Sequence, residues 1–451
     1  MDTECISSVG VRHQTAKAIF TRMFREALQA VDPYRAIVRH VGLHRNRLSI
    51  GSRSFILDPN SRLVVVGAGK ASARMAQALE DRVGRCIDTG LVVVKYGHAR
   101  PTKSIRIVEA GHPVPDQAGL KASRDISSLV RSLERNDVLI VLLSGGASSL
   151  LPAPAEGISL SDKQATTRLL LRSGATIQEV NAVRKHLSSL KGGQLAGSTT
   201  AQVASLILSD VIGNDLATIG SGPTAPDPTT FHQAREILER YGVWGAVPSP
   251  VRKRLANGTA RRIADTPKPG SPRFRRVTNC LIGDNEAAVD AVTRVAHGER
   301  LKTLVLGTTL TGEAREAAKL FGAIAREVAL RNRPVSRPCC IVAGGELTVA
   351  VRGRGTGGRA QEFALAAAAE IAGLRRVWVA GFATDGTDGP TDVAGAVADS
   401  DTVARADRAG LSVTRALRHN DSYPLFRKLR AHIRTGPTGT NVNDLYVLLL
   451  L

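Results

Sequence analysis

The sequence predicts an α/β protein with two domains. Short runs of valine, isoleucine and leucine alternate with helix-forming stretches along most of its 451 residues. Such runs are typical of parallel strands that helices cover on both faces, and the alternation indicates crossover connections. The length also exceeds what one hydrophobic core usually contains. We therefore predict a Rossmann-like, doubly wound N-terminal domain followed by a smaller α/β domain.

The prediction of two domains depends on an interruption in this alternation. Residues 12–44 are predicted to be helical, and strand-like runs then recur until the interruption. Between 244 and 276 the alternation stops and five prolines occur, which indicates a linker. A second series begins with VTNCLIGDN and ends with LYVLLLL. The predicted domains are residues 1–243 and 277–451, joined by the linker 244–276.

The formal net charge of +21 favours an acidic partner. The basic residues are scattered, aromatic residues make up only 4%, and no zinc-finger, helix-turn-helix or RNP motif is present, so we do not expect nucleic-acid binding. An anionic small molecule attracted by the charge is favoured, and a compositional bias of the source genome is the alternative. The five cysteines form no C-x-x-C pair, and no apolar run approaches the ~20 residues of a membrane span. These features predict a cytoplasmic protein that does not bind membranes.

The stretch VVVGAGKASARMA places a lysine in a glycine turn between a strand and a helix. Backbone N–H groups at the start of a helix can bind an anion, so Gly67 and Gly69 are candidate cofactor-binding residues. The turn is not a G-x-G-x-x-G motif, because Ser72 replaces the third glycine, and it is not a P-loop. Lys70 is therefore predicted to reach a phosphate.

A second loop, SGGASS, follows the apolar run VLIVLL. Ligands bind at the carboxyl ends of strands in open α/β sheets, so Ser144, Gly145, Gly146 and Ser148 are candidate nucleotide-binding residues. A turn that caps a helix is the alternative. The loop is not an esterase nucleophile elbow, because Leu150 occupies the position of the last glycine.

Charged residues near other loops supply candidates for the substrate and for a metal ion. The amphipathic stretch 179–193 carries Arg184 and Lys191 on its polar face, which either holds an anionic substrate or is simply solvated. Asp210 follows a strand, and Asp388 lies in the glycine-rich loop ATDGTDGPTDVAG. Mg²⁺ prefers such oxygen ligands together with phosphate, although aspartate is also common in turns.

The C-terminal half contains two further candidate loops. Arg359 precedes a predicted helix, where its guanidinium would add to the attraction of the helix N-terminus for anions. Thr438, Asn441 and Asn443 lie in the loop TGPTGTNVNDL before the last strand. Cations, backbone donors and acids of this kind together favour phosphoryl transfer by positioning and charge neutralisation.

Eight stretches give the sequence a specific family resemblance. They occur in the family's order over about residues 15–446 and are GAGKAS, GHPVPDQAG, LLSGGASSLL, EVNAVRKHLSSLKGGQLA, SDVIGNDLATIGSGPTAPD, GGELTVAVRGRGTGGRAQEFALA, GTDGPTDVAGA and TGPTGTNVNDL. In these stretches the chain resembles the class II glycerate 2-kinases, whose C-terminal half is called the MOFRL domain.

The resemblance implies an activity and a set of cofactors. It implies ATP-dependent phosphorylation of D-glycerate at its 2-hydroxyl with Mg²⁺, in a cleft between the two domains. Lys70 and Arg359 match the family's proposed catalytic pair. On this basis we expect D-glycerate and ATP as small-molecule partners. We expect no nucleic-acid or membrane partner, and we leave open whether the protein forms a homo-oligomer.

Four positions depart from the family pattern, namely Ala147, Asn214, Leu347 and Ala360. Asn214, Leu347 and Ala360 each lack a charged or polar group that the family usually has there, and Ala147 replaces a glycine, so a changed substrate or a lower activity would be consistent with them. The alternative enzyme is an NAD(P)H-dependent hydroxypyruvate reductase, which the glycine turn and Asp88 would support. A basic binding protein without enzymatic activity is a third interpretation, supported by charge alone.

Overall fold

The computed structural model describes residues 6–451, which form two compact units. One unit is Pro33–Ile282, and the other combines the chain up to Asp32 with Gly283–Leu451. This grouping differs from the predicted boundaries at both ends of the first domain. The first elements, β1 (Ser8–Val9) and α1 (Gln14–Ala30), belong to the second unit because β1 pairs with a strand near the C-terminus.

The unit 33–282 contains nine α-helices and nine strands in its described residues. They are α2 (Pro33–His40), β2 (Val41–His44), β3 (Arg47–Ile50), β4 (Arg53–Ile56), β5 (Leu63–Ala68), α3 (Ser72–Val83), β6 (Thr89–Lys95), β7 (Ile105–Ala110), α4 (Gln117–Arg131), β8 (Val138–Leu143), α5 (Ala147–Leu150), α6 (Leu160–Arg172), α7 (Ile177–His186), α8 (Gln194–Gly197), β9 (Gln202–Leu208), α9 (Phe231–Arg240), α10 (Ser249–Thr259) and β10 (Val277–Gly283).

The main sheet of this unit has the strand order of a doubly wound fold. The order is β10-β9-β8-β5-β6-β7, and the pairs from β9 to β7 are parallel. Counted within the sheet this is 6-5-4-1-2-3, the Rossmann order, which reverses direction between β5 and β8. Every residue of β5 and β8 is buried, as their uninterrupted apolar runs predict. The predicted Rossmann-like domain is confirmed.

Three local features of this unit differ from the sequence-based expectations. Strands β2, β3 and β4 form a small antiparallel sheet, which begins inside the stretch expected to be helical. β10 lies beside β9 in the first sheet, although the sequence suggested that it begins the second domain. The predicted linker contains α10, whose Val251 and Leu255 pack in the same core as Phe231. Pro250 does not prevent this helix because it lies in the first turn.

The second unit continues with six helices and six strands among its described residues. They are α11 (Asn285–Gly298), β11 (Lys302–Glu313), α12 (Ala314–Arg331), β12 (Cys339–Thr348), α13 (Arg359–Glu370), β13 (Val377–Ala383), β14 (Gly395–Asp399), α14 (Thr402–Arg408), α15 (Val413–Arg418), α16 (Ser422–Leu429), β15 (His432–Arg434) and β16 (Asp444–Leu450).

A mixed seven-stranded sheet organises the second unit, in the order β1-β15-β14-β13-β16-β12-β11. Only the pair β11–β12 is parallel among its described pairings. α13 packs against the sheet through Phe363, whose ring lies 4.7 Å from that of Tyr446. This packing brings the start of α13 close to the start of β16. In residues 6–451 no helix is both long and apolar enough to cross a membrane.

Candidate active site

The turn that carries Lys70 is joined to the loop after β8 by hydrogen bonds. The backbone N–H of Lys70 donates to the carbonyl of Gly145 (2.9 Å), and that of Ala71 donates to Ser144 Oγ (3.0 Å). Ser72 Oγ lies 3.0 Å from Ser144 Oγ. The N–H groups of this turn are therefore used inside the protein, and the expectation that they are free to bind an anion is wrong. Ser144 is buried and connects the two loops.

The predicted cofactor-binding glycines permit close packing between these loops. A side chain at Gly67 would collide with the backbone of Leu142, and one at Gly69, where φ is 142°, would collide with Ser144. A side chain at Gly145 would overlap the carboxylate of Asp210. These glycines thus hold the ends of β5, β8 and β9 together at the switch point of the sheet.

Lys70 and His112 lie against Gly146 at the same edge of the sheet. Gly146 has φ 88°, and a Cβ there would be 2.9 Å from His112 Nε2 and 3.5 Å from Lys70 Cγ. His98 Nδ1 lies 3.0 Å from the carbonyl of Lys70. The pKa of His112 is lowered to about 4, chiefly by burial and also by Lys70, Lys95 and His98. His112 is therefore neutral near pH 7, and the positive charge of this edge comes mainly from the lysines.

Lys191 forms hydrogen bonds that stabilise the loop after β8. Its buried ammonium donates to the carbonyl of Ser148 (2.7 Å), to Ser148 Oγ (3.1 Å) and to the carbonyl of Gly220 (3.5 Å). Ser148 Oγ also lies 2.8 Å from Ser221 Oγ. Each of these three contacts uses one donor of the ammonium. Lys191 therefore stabilises the loop, in addition to its predicted role in substrate binding.

Arg184 has no such partners. Its guanidinium forms no hydrogen bond or ion pair with any residue in the described part of the chain, and burial lowers its pKa. Lys163 on α6 is also buried and donates to the carbonyl of Pro152. The pKa of Lys163 is lowered to about 7, chiefly by burial and also by the nearby charges of Arg184 and Arg254. The sequence analysis missed Lys163, because a lone lysine in an amphipathic helix normally lies in solvent.

The polar face of α7 is packed rather than solvated. Lys185 forms a buried ion pair with Asp227 (3.2 Å), and His186 contacts Asp265 (2.9 Å). Asn181 is also buried and accepts from Ser221. Of the two interpretations of this stretch, the solvated face is wrong. The buried contacts instead hold α7 in place, with Arg184 projecting from it without a partner.

Arg359, in the second unit, pairs with two acids, of which Asp444 is buried and Glu346 is partly exposed. It donates from Nε to Asp444 Oδ2 (2.5 Å), from a terminal nitrogen to Asp444 Oδ1 (3.3 Å) and from the other to Glu346 (2.5 Å). Tyr446 donates its hydroxyl proton to Asp444 (2.9 Å). Burial acts to lower the pKa of Arg359, but the charge of Asp444 outweighs it and raises the pKa. The guanidinium is thus permanently charged, and it is held by Asp444 and by Glu346.

Asp388 occupies the start of α13. Its carboxylate accepts from the backbone N–H of Ala360 (3.0 Å), the backbone N–H of Gln361 (2.8 Å) and the Gln361 side chain (2.9 Å). The helix N-terminus that was expected to attract an anionic ligand therefore already holds a carboxylate of the protein itself. Asp388 caps the helix, and both of its oxygens are used.

The loop 435–443 is built largely by its own polar contacts. Thr438 donates to the carbonyl of Thr384 (2.6 Å), and the side-chain oxygen of Asn441 accepts from the backbone N–H of Asn443 (3.0 Å). Asn443 has φ 67°, a conformation that asparagine tolerates. These contacts give the three predicted nucleotide-binding residues a role in shaping the loop.

Three of the four departures from the family pattern lie in packed positions. Ala147, Leu347 and Ala360 are all buried, and Leu347 is part of the core between α12, α13 and the sheet. Asn214 differs, because it lies in a turn with φ 55°. The three buried residues thus contribute apolar packing to the loops that carry the predicted site residues.

No group of three or more histidine, cysteine, aspartate or glutamate side chains suited to a metal ion occurs in residues 6–451. Mg²⁺ usually needs only one or two carboxylates, with phosphates and water completing its shell. Asp210 suits this requirement, because its carboxylate lies against Gly145 at the carboxyl edge of the first sheet. Asp388 suits it less well because its oxygens accept three hydrogen bonds.

The fold and these clusters define the class: an α/β protein with a cationic site at the switch point of a doubly wound sheet. Residues 19–256 match a family described as a domain of unknown function (DUF4147), and residues 339–444 match the MOFRL family. The glycerate 2-kinase of Pyrococcus horikoshii is 40% identical over 435 residues, which cover 96% of this chain and 97% of that protein.

Two further proteins bear on the family. The crystal structure of glycerate kinase from Thermotoga maritima matches with a TM-score of 0.87 at 38% identity, over 97% of this chain and 100% of that chain. A protein of Agrobacterium vitis with a provisional hydroxypyruvate reductase name is 44% identical over 393 residues, 86% of this chain and 99% of that protein. The chain belongs to the glycerate 2-kinase family, as the resemblance predicts.

Proposed function

We propose that this protein is a glycerate 2-kinase, which transfers the γ-phosphoryl group of ATP to the 2-hydroxyl of D-glycerate and releases 2-phosphoglycerate and ADP. The observation that carries the proposal is the cationic edge of the first sheet, where Lys70 follows β5 and Lys95 ends the neighbouring parallel strand β6. Phosphoryl transfer requires positive charge at such a point more than it requires covalent chemistry. The family membership of nearly the whole chain supports the same activity.

The clusters suggest a division of roles. Lys70 would neutralise charge on the transferring phosphoryl group, and the loops with Gly145, Gly146 and Ser148 and with residues 438–443 would contact ATP. Arg184, which lacks a partner, would bind the carboxylate of D-glycerate, with Lys191 holding the loop beside it. Arg359 would supply a second fixed cation, held in position by Asp444 and Glu346.

A magnesium ion is part of the proposal. When bound, it would neutralise phosphate charge and orient the phosphates. Asp210 is the candidate ligand that the geometry favours, and Asp388 would have to give up capping contacts to join it. The cytoplasmic location expected from the sequence remains a prediction, and the oligomeric state stays open.

The alternative reductase activity requires a site for a dinucleotide. In the turn after β5, the N–H groups that would hold a pyrophosphate donate instead to Ser144 and to Gly145. This arrangement argues against binding of NADH or NADPH at that turn.

The deciding experiment supplies purified protein with D-glycerate, ATP and MgCl₂, follows ADP release, and identifies the product by ³¹P NMR. Formation of 2-phosphoglycerate is expected. A parallel reaction contains hydroxypyruvate with NADH or NADPH. Oxidation of the nicotinamide without any ADP release in the first reaction would contradict the proposal.

A further inference from the structure

We propose that a basic cavity at the β1–β15 edge of the second unit binds a small phosphorylated anion, at a site formed by none of the residues assigned above. The cavity has a volume of about 620 Å³, within the range of small-molecule sites, which is about 300–1,000 Å³. The start of α1, the end of α16 and the strands β1 and β15 line it. Of the described residues that line it, none is acidic.

Five cations at this cavity lack a compensating acid. Arg12, Lys17, Arg427, Lys428 and Arg430 form no ion pair with any residue in the described chain. A single exposed cation of this kind would simply be solvated. Five of them around one concavity repel each other and produce a positive potential that the concave shape focuses. A bound anion would relieve that repulsion.

The inner wall supplies a second, independent observation. His432 is only 5% exposed, its ring stacks on Tyr423 at 4.8 Å, and its Nε2 has no hydrogen-bond partner in the described chain. Arg405 also lines the cavity, and its buried Nε lacks a partner although the side chain pairs with Asp399. Buried polar atoms without partners are uncommon, and an unseen bound ion is one of the usual reasons for them.

The charge around His432 supports the same conclusion. The pKa of His432 is lowered to about 4, chiefly by burial and also by the nearby charges of Arg434 and Arg427, whereas Asp392 opposes them. The imidazole is therefore neutral near pH 7, and the nearby charges carry a positive excess. That excess is what an anionic ligand in the cavity would balance.

The charge of the cavity favours phosphate over a single carboxylate, because a phosphoryl group carries about −1.5 to −2 near pH 7 and balances more of the unpaired cations. Arginine predominates among the lining cations, and its planar fork binds phosphate oxygens through two parallel hydrogen bonds. The bounded volume suits a small metabolite, whereas nucleic-acid binding would need an extended basic stripe. Arg434 is not a suitable test residue, because it also holds Asp392 through an ion pair (2.8 Å).

The test is calorimetric titration with inorganic pyrophosphate. It is made in a Lys70→Ala background, so that the candidate active site contributes little. The double variant Arg427→Gln/Arg430→Gln removes two cavity cations, and Arg294→Gln/Arg415→Gln removes the same charge from exposed positions on α11 and α15. We expect pyrophosphate to bind the Lys70→Ala protein, and the cavity variant to raise Kd at least about tenfold. The control variant should change Kd less than about twofold.

Turnover of the glycerate kinase reaction should persist in Arg427→Gln/Arg430→Gln with Lys70 intact, because neither arginine belongs to the candidate active site. Three results would overturn the proposal: no pyrophosphate binding, equal weakening in the cavity and control variants, or a single-stranded oligonucleotide that binds the same arginines more tightly than pyrophosphate does. The last result would identify a nucleic-acid surface instead. None of these results bears on whether the protein phosphorylates glycerate.

Discussion

Arg359 and Asp444 form a side-on ion pair, with 2.5 Å from Nε to Oδ2 and 3.3 Å from a terminal nitrogen to Oδ1. Asp444 is 1% exposed, and its Oδ2 also accepts from Tyr446. The pKa of Asp444 is raised to about 7, because burial, helped by the charge of Asp388, outweighs the opposing effect of Arg359. Because water cannot replace Asp444, the pair holds the guanidinium in one orientation.

Replacing Asp444 by asparagine should lower kcat by about two orders of magnitude, because a displacement of about 1 Å in a positioned group is enough for such a loss. The amide keeps the shape of the side chain but removes the charge that orients Arg359. Steady-state kinetics with D-glycerate and ATP measure the effect, and circular dichroism confirms folding.

The matched variant for this prediction is Tyr446→Phe, which removes one hydrogen bond to Asp444 and leaves the ion pair intact. It should retain kcat to within about tenfold because the ion pair that orients Arg359 remains, although the lost hydrogen bond to the carboxylate contributes about 1.5–3 kcal/mol to stability. A folded Asp444→Asn protein with the same kcat as Tyr446→Phe would refute the positioning role.

Lys70→Ala should reduce kcat by several orders of magnitude, because it removes the cation nearest the switch-point loops. The melting temperature should hardly change, because the hydrogen bonds that join Lys70 to Gly145 use the backbone. Lys103→Ala, at an exposed position of the same unit, removes an equal charge and should leave kcat intact. Near-normal turnover of Lys70→Ala would eliminate its catalytic assignment.

The affinity for D-glycerate should fall as the pH rises through about 7. Lys163 has a pKa of about 7 because of burial and the nearby charges of Arg184 and Arg254, so it loses its proton in this range. The protonated form is the one that attracts a carboxylate beside Arg184. The measurement is KM for D-glycerate between pH 6 and 9 in the wild type and in Lys163→Met, where the pH dependence should disappear.

Lys163 should also make the free energy of unfolding depend on pH. The pKa of Lys163 is lower in the folded protein than its ordinary value of 10.5, so the unfolded chain binds more protons between pH 7 and 10.5. The contribution of Lys163 to the free energy of unfolding should therefore rise with pH across that window. Urea unfolding of wild type and Lys163→Met isolates this contribution, and a constant difference between them would contradict it.

The parts of the fold that could be predicted are those in which sequence pattern and burial coincide. β5 and β8 are apolar throughout because both faces of the sheet are covered, so the sequence identifies them as buried parallel strands. The sheet β2–β4 could not be predicted, because each of its strands has only 4 residues, too few to distinguish a strand pattern from a helical one. β10 has a partly exposed edge position, and nothing local indicates which sheet it joins.

The residues of the candidate site also fall into those that the sequence identifies and those that become apparent only in the folded structure. Lys70 and Arg359 lie in motifs, so the sequence identifies them. Lys163 becomes notable only because folding buries it near Arg184, on a different helix. Likewise, the capping role of Asp388 depends on a contact with Ala360, 28 residues earlier, which no local pattern records.

The last prediction concerns the buried ion pair that anchors α7. Asp227 is fully buried and accepts from Lys185 (3.2 Å), from Thr266 (2.9 Å) and from Thr229. Burial alone would raise the pKa of Asp227, but Lys185 and the hydrogen bonds from Thr229 outweigh it and lower the pKa. The pair therefore remains charged without access to solvent.

Asp227→Asn should reduce the free energy of unfolding by about 3–5 kcal/mol, because it leaves the Lys185 ammonium buried without a counter-charge. The exposed pair between Glu327 and Arg333 is the control, and Glu327→Gln should cost less than about 1 kcal/mol. Lys185→Met/Asp227→Asn should recover part of the loss, since no uncompensated charge remains. Urea denaturation measures all three variants. If Asp227→Asn costs no more than Glu327→Gln, the pair does not anchor α7, and the position of Arg184 must depend on the apolar packing of Val180 and Val183 instead.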